Sequence, residues 1–185
     1  MQPEEPNPDI PQEVKENRGL LKKIQLIIPG FREYRIGDDL RAADALLRKQ
    51  ISSSLNRSIA ALQSARSRLA SDGDFNNLTS IASALSKLQQ LDGEILHSAQ
   101  GYTGISPTIR IDASRLNSLY KYDLGFLDYS EKFETLSGSL PLNDSNALKQ
   151  RMDDISGLAV EVKNNWEKRI ETIENILISR GGDKQ

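Results

Sequence analysis

Three aspartates stand where a helical protein should be oily. Asp44 lies between Leu40, Leu47 and Ile51, Asp92 between Leu88 and Ile95, and Asp123 between Leu119, Tyr120 and Leu127. At the helical step of 100° per residue, Asp44 falls within about 20° of the centre of its apolar stripe. A carboxylate carried into a core must find a partner or give up its charge, because desolvating it alone costs several kcal/mol. Two chemistries meet that need. Arginine and tyrosine donors would build a polar network that fixes helix register. A hard, oxygen-loving cation would serve instead, since imidazole ligands are missing. Donors are at hand: Arg41, Arg48 and Arg66 flank the stripe that carries Asp44, Arg151 and Arg169 edge the seam of the last helix, and Tyr34, Tyr102, Tyr120 and Tyr122 carry hydroxyls. The expected core network is therefore Asp44, Asp92, Asp123, Arg48, Arg151 and Tyr120, with a structural role. It implies no catalytic residue, no metal ligand and no cofactor. The divalent-cation site centred on the aspartates is the alternative.

Other chemistry fails on geometry or composition. Glu94-Ile95-Leu96-His97 has the Glu-x-x-His spacing of di-iron bundles. Both side chains project about 150° from the centre of that helix's apolar stripe, whereas a di-iron pair must look inward. His97 is also the only histidine. Gly101-Tyr102-Thr103-Gly104 lacks the strand, the following helix and the Lys-Ser/Thr of a phosphate loop, and reads as a turn. With no cysteine the chain can build no thiolate zinc site or disulfide framework, and no Ser/His/Asp triad is read around its one histidine. Gly93, Gly125 and Gly157 sit inside helical pattern, each costing about 1 kcal/mol relative to Ala. Close helix approach, a kink or chance would account for them.

The elements that position these residues follow a 3.6-residue period. A first helix runs from about Gln12 to Ile28 and stops at Pro29-Gly30. A second runs from about Asp38 to Ala70, with Leu40, Leu47, Ile51, Leu55, Leu62 and Leu69 on one face. Ser71-Asp72-Gly73-Asp74 turns the chain into a third helix, about Phe75 to Gln100, whose apolar residues alternate by three and four. After a break containing Pro107, Asp112 caps a fourth helix over about Ala113 to Leu136. The last, about Asn146 to Ser179, has its seam on Leu148, Met152, Ile155, Leu158, Val162, Trp166, Ile170, Ile173 and Leu177. The fold expected is all-α, an up-and-down antiparallel bundle of about five helices, four of them long. Residues 1–14, acidic with prolines at 3, 6, 8 and 11, read as a disordered lead-in; residues 15–180 form one bundle domain and 181–185 a flexible tail.

Composition narrows the function classes. Apolar residues make up 37% and aromatics 5%, so the core must be mostly Leu, Ile and Ala, which suits helix-on-helix packing rather than sheet. At 185 residues the chain can bury a sizeable core without staples. No apolar run approaches the roughly 18 residues of a membrane span, and the acidic N-terminus is the reverse of a secretory signal. The expected setting is cytoplasmic. A net charge of −2 conceals twelve Lys/Arg against five Asp/Glu in residues 15–69. That basic half could meet an anionic surface, but it serves equally to face acidic helices within the same bundle. Nucleic acid is not the expected partner.

Pro29-Gly30-Phe31-Arg32-Glu33-Tyr34, followed by Arg41, Asp44 and Arg48 in DLRAADALLR, belongs with two later stretches, Gly101-Tyr102-Thr103-Gly104 and Leu119-Tyr120-Lys121-Tyr122-Asp123. Together they resemble a family of uncharacterised prokaryotic helical proteins with a Pro-Gly-aromatic-x-x-Tyr opening and a Gly-Tyr-x-Gly turn. The likeness spans residues 20 to 130. It implies no activity, and it implies that Asp44 and Asp123 are not accidents. The function expected is that of a non-enzymatic interaction or scaffold bundle whose partner is another protein or a second copy of the chain. The cation-binding bundle, with or without enzymatic activity, and the anionic-surface binder are the alternatives.

Overall fold

The computed structural model describes residues 9–34, 37–98, 111 and 113–178. Five helices account for almost all of them: α1 (Asp9–Ile27), α2 (Gly37–Ser71), α3 (Phe75–His97), α4 (Ala113–Gly138) and α5 (Ser145–Ile178). Among the described residues there is no strand. The all-α bundle, with four long helices, is the fold the apolar period predicts. No described helix is long and apolar enough to cross a membrane.

The helix ends show local chemistry at work. α1 starts at Asp9, inside the stretch expected to be disordered, with Pro11 in its first turn, where a missing N–H breaks no helical hydrogen bond. Its C-terminus gives way at Gly30, whose φ of 85° is left-handed. α2 ends in a Schellman motif. The Asp74 N–H donates to the Leu69 carbonyl at 2.9 Å, the Gly73 N–H donates to Ala70 at 3.3 Å, and Gly73 takes φ 74°. α5 begins at an Asp144 cap, whose Oδ1 accepts from the Asn146 and Ala147 N–H groups at 3.0 Å each. The expected cap Asp112 and the Gly101–Gly104 turn lie outside the described residues.

The chain divides into two compact units. One comprises Met1–Leu46, Gly101–Leu124 and Arg169–Gln185; the other comprises Leu47–Gln100 and Gly125–Lys168. In the second unit, cross-helix bonds fix the direction of every element. Arg48 reaches Ser98 and Asn56 reaches Asp92, so α2 and α3 are antiparallel. Arg151 meets Leu136, and Asn165 meets Tyr129, so α4 and α5 are antiparallel as well. Asn77–Ser145, Glu94–Lys163 and Ser98–Trp166 pairs keep a near-constant offset, which makes α3 parallel to α5. Within this unit, direction therefore alternates from α2 through α5, as an up-and-down bundle requires.

The core of that unit is mainly aliphatic: Leu47, Ile51, Leu55 and Leu62 of α2, Ile81, Leu88 and Ile95 of α3, and Met152, Ile155 and Val162 of α5 are all buried. Burying each such side chain is worth about 1.5–3 kcal/mol. Phe126 packs edge-on against Trp166 with centroids 5.1 Å apart. Among the described side chains, which exclude Leu177, the seam of α5 differs from the expected one at two places. Ala159 and Arg169 are buried in it, while Leu158 and Ile170 are only half-buried. Close helix approach does not explain the helical glycines: at Gly93, Gly125 and Gly157 a Cβ would meet nothing within 4 Å.

Candidate functional site

The first unit encloses a polar cluster with no exposed atom to speak of. Asp44 of α2, Asp123 of α4 and Arg169 of α5 are each 0% exposed, as is Tyr34 from the segment that links α1 to α2. Arg169 holds the centre. Its Nη1 donates to Asp44 Oδ1 at 2.5 Å and its Nε donates to Asp123 Oδ1 at 2.7 Å. The second oxygen of Asp123 accepts the Tyr34 hydroxyl, and Arg169 Nη2 lies 3.5 Å from the same hydroxyl. Tyr120 stacks on Tyr34 with ring centroids 5.2 Å apart and 13° between planes, and its hydroxyl accepts the Tyr34 N–H at 3.2 Å. Phe31 closes one side, edge-on to Tyr34 at 5.4 Å.

Local sequence explains this delivery. Pro29-Gly30 ends α1 and turns the chain, and Phe31 and Tyr34, three residues apart, are both buried after the turn. The aromatic opening motif thus acts as a plug that carries one hydroxyl to a carboxylate. Burial raises the Asp123 carboxyl above the ordinary value of 3.8, with Arg169 and the Tyr34 hydroxyl pulling it back down. Burial also pushes the Tyr34 hydroxyl well above 10.0, and the adjacent Asp123 charge adds to the shift. Tyr34 is therefore held as a neutral donor.

This arrangement can bind charge to charge, but it offers no reacting atom to a substrate. Nor does it suit a cation, because the Arg169 guanidinium lies between the two carboxylates, where a bridging metal would have to sit. Among the described residues, no group of three or more His, Cys, Asp or Glu side chains is arranged to hold a metal ion.

The six residues expected to form one network are placed in three settings. Asp44, Asp123 and Tyr120 share the cluster just described. Arg48 is buried in the second unit, where its Nη1 donates to the Ile95 carbonyl at 2.5 Å and to Ser98 Oγ at 2.7 Å, and its guanidinium lies 4.8 Å from the Trp166 ring centroid. It completes the C-terminal end of α3 by satisfying orphan carbonyls. Arg151 does the same for α4, donating to Leu136 at 2.9 Å and Ser139 at 3.3 Å. Asp92 is half-buried rather than buried. Its Oδ2 accepts from Asn56 at 3.3 Å, while its buried Oδ1 has no hydrogen-bond partner among the described residues. Arg169, expected at the edge of its seam, is the residue that ties the cluster together. The dismissed Glu94-x-x-His97 pair stays apart from any site: Glu94 accepts Lys163 at 2.9 Å and His97 is exposed.

A second candidate lies on the surface of the second unit. α4 and α5 leave between them an open groove of about 880 Å³. Its floor is Leu136, Leu158 and the bare backbone of Gly157, and its rim carries Asp128, Glu131, Asp153, Asp154 and Glu161 against the single cation Lys132. Glu161 accepts the Tyr129 hydroxyl at 2.7 Å and Asp154 accepts Gln150 Nε2 at 2.9 Å, so parts of the rim are already oriented. Sequence reasoning missed this groove. Leu158 is expected in the α5 seam, but Ala159 takes that place and leaves Leu158 half-buried beside Gly157.

The Pro-Gly-aromatic-x-x-Tyr half of the family resemblance thus has a structural role in the cluster, and the Gly-Tyr-x-Gly half lies outside the described residues. In comparisons with known proteins, no family model, no curated protein and no solved structure matches the chain.

Proposed function

We propose that this protein is a non-enzymatic interaction module whose partner, another protein molecule, docks a basic amphipathic helix in the α4/α5 groove. The observation that carries the reading is the division of labour between the two polar regions. The Asp44–Asp123–Arg169–Tyr34 cluster is buried and hydrogen-bonded across helices, which suits it to fixing helix register. The groove is open, apolar at its floor and ringed by carboxylates. An amphipathic helix laid into such a groove buries its apolar face while its lysines meet the rim. The same rim repels polyanions, which sets nucleic acid and anionic lipid at a disadvantage there. The cysteine-free sequence suits a cytoplasmic setting. Fluorescence anisotropy tests the reading with three labelled probes: a synthetic helical Lys/Leu peptide, its Glu/Leu counterpart and duplex DNA. The Lys/Leu peptide should bind, and Asp153→Lys with Asp154→Lys should abolish the binding. Equal binding of the Glu/Leu peptide, or tight salt-sensitive binding of DNA, would overturn the proposal.

A further inference from the structure

We infer that the helix received by the α4/α5 groove is α1 of a second copy, so that the protein self-associates head to tail. The inference rests on the docking reading above and names its occupant.

The argument starts from what α1 shows to solvent. Ile24 and Ile28 turn inward and are buried. On the opposite face, Leu26 is 79% exposed, a large apolar surface left wet at the end of a folded helix. By the 100° step, Lys15, Gly19 and Lys22 lie within about 40° of Leu26, with Arg18 and Lys23 on the two flanks. All five are exposed. Among the described residues, three of the six large apolar side chains left exposed (Val14, Leu26 and Ile27) belong to this one helix. It is therefore a basic face with a leucine at its centre and a glycine beside it.

The groove is its complement. Exposed acids on both walls match the α1 cations, and Leu136 and Leu158 give Leu26 an apolar seat. Two glycines, Gly19 on the donor and Gly157 on the acceptor, have nothing within 4 Å of a Cβ position, which lets the two backbones come close. Dimensions agree as well. The groove walls span residues 128–136 and 153–161, roughly 12 Å of helix, and Lys15 to Leu26 rises by roughly 17 Å, enough to cover them. Donor and acceptor are different surfaces, so the contact is heterologous and propagates from copy to copy unless rotation closes a ring.

Two charge-reversed variants separate the surfaces without touching a buried residue: Lys22→Glu with Lys23→Glu, and Asp153→Lys with Asp154→Lys. Sedimentation at low salt reads the mass across about 5 to 500 µM, where mass action would reveal association. The wild-type mass should rise above 20.6 kDa with concentration, and the association should weaken about tenfold or more in 0.5 M salt. Each variant alone should stay monomeric, having lost one half of the contact. Mixed together, they should associate in 1:1 proportion, since each keeps the half the other lacks and the reversed charges, glutamate on α1 and lysine on the rim, are themselves complementary. A wild type monomeric throughout, variants that assemble normally, or a mixture that stays monomeric would overturn the inference. The Lys/Leu peptide distinguishes the two levels of failure. If it binds a monomeric wild type and not the groove variant, the docking reading stands and only the occupant is wrong. If it does not bind, both fall.

Discussion

Replacing Arg169 with methionine is the sharpest perturbation of the buried cluster. The side chain is 0% exposed and donates to two carboxylates that are themselves shut off from water, at 2.5 Å and 2.7 Å. Removing it leaves Asp44 and Asp123 buried without the positive charge they share. Breaking one buried ion pair costs about 3–5 kcal/mol, and here one side chain serves two acids, so the upper end applies. Against a total stability of about 5–15 kcal/mol, that is a third or more of the whole. In urea, with a slope of about 2 kcal/mol per molar, the midpoint should fall by about 2.5 M. A pH series adds a readout that a lost packing contact would not give. Burial already raises the Asp123 carboxyl, and Arg169 is the largest influence pulling it back. Without the guanidinium the value climbs further. A carboxyl raised in the folded state favours folding below its unfolded value and loses that contribution as pH rises through the folded value. The Arg169→Met deficit should thus be deepest near pH 7 and shrink on acidification. Adding Asp44→Leu and Asp123→Asn should recover much of the loss at neutral pH by removing the stranded charge. If Arg169→Met shifts stability by less than about 0.5 kcal/mol, the side chain is not buried and the cluster as described does not exist.

Two further expectations follow from the same contacts. Tyr34 donates to a carboxylate and its hydroxyl is raised well above 10.0, so its contribution is intact below pH 10 and is lost as pH rises beyond it. Tyr34→Phe should cost about 1.5–3 kcal/mol at neutral pH. In denaturation series up to pH 11.5 the gap between wild type and variant should narrow; parallel curves would show that the hydroxyl is not held as described. Among the described residues, Asp92 has one buried oxygen without a hydrogen-bond partner and one weak bond to Asn56. Asp92→Leu should therefore stay within about 1 kcal/mol of wild type in urea melts, and a loss as large as that of Arg169→Met would mean that Asp92 has a partner of its own.

The helices, their order and the alternation of direction could be read from apolar spacing because each long helix repeats its signal many times. Single seam positions could not. A step of seven residues can be divided as three plus four or as four plus three, and the two divisions place different residues inside. Between Leu88 and Ile95 the choice lay between Leu91 and Asp92, and Leu91 took the core. Between Trp166 and Ile173 it lay between Arg169 and Ile170, and the charged residue took it. Hydrophobicity decides the first case and misleads in the second. What reverses the preference is the presence of Asp44 and Asp123, which lie 125 and 46 residues away along the chain. No local window contains that information. Asp44 could be found from its own helix because Leu40, Leu47 and Ile51 surround it, whereas Arg169 becomes a core residue only once three helices are assembled. The groove escaped notice for a related reason: its floor is defined by what two helices fail to fill.

Those long separations also bear on the order in which the chain folds. The bonds that join α2 to α3 close loops of 36 to 50 residues, and Arg151 reaches back only 15 residues to Leu136. Hairpins of this kind pay a small closure entropy and can form early. The Arg169–Asp44 bond instead closes 125 residues and the Tyr34–Asp123 bond 89. A guanidinium gains nothing by shedding water before both of its acids are in place, so this cluster should form after the rate-limiting barrier, and φ-values measured at it are expected near zero. Changes at Arg169 should then leave the refolding rate nearly untouched and appear almost wholly as faster unfolding. The cluster acts as a latch: it does little to guide the chain to its fold, and it sets how long the fold lasts once reached.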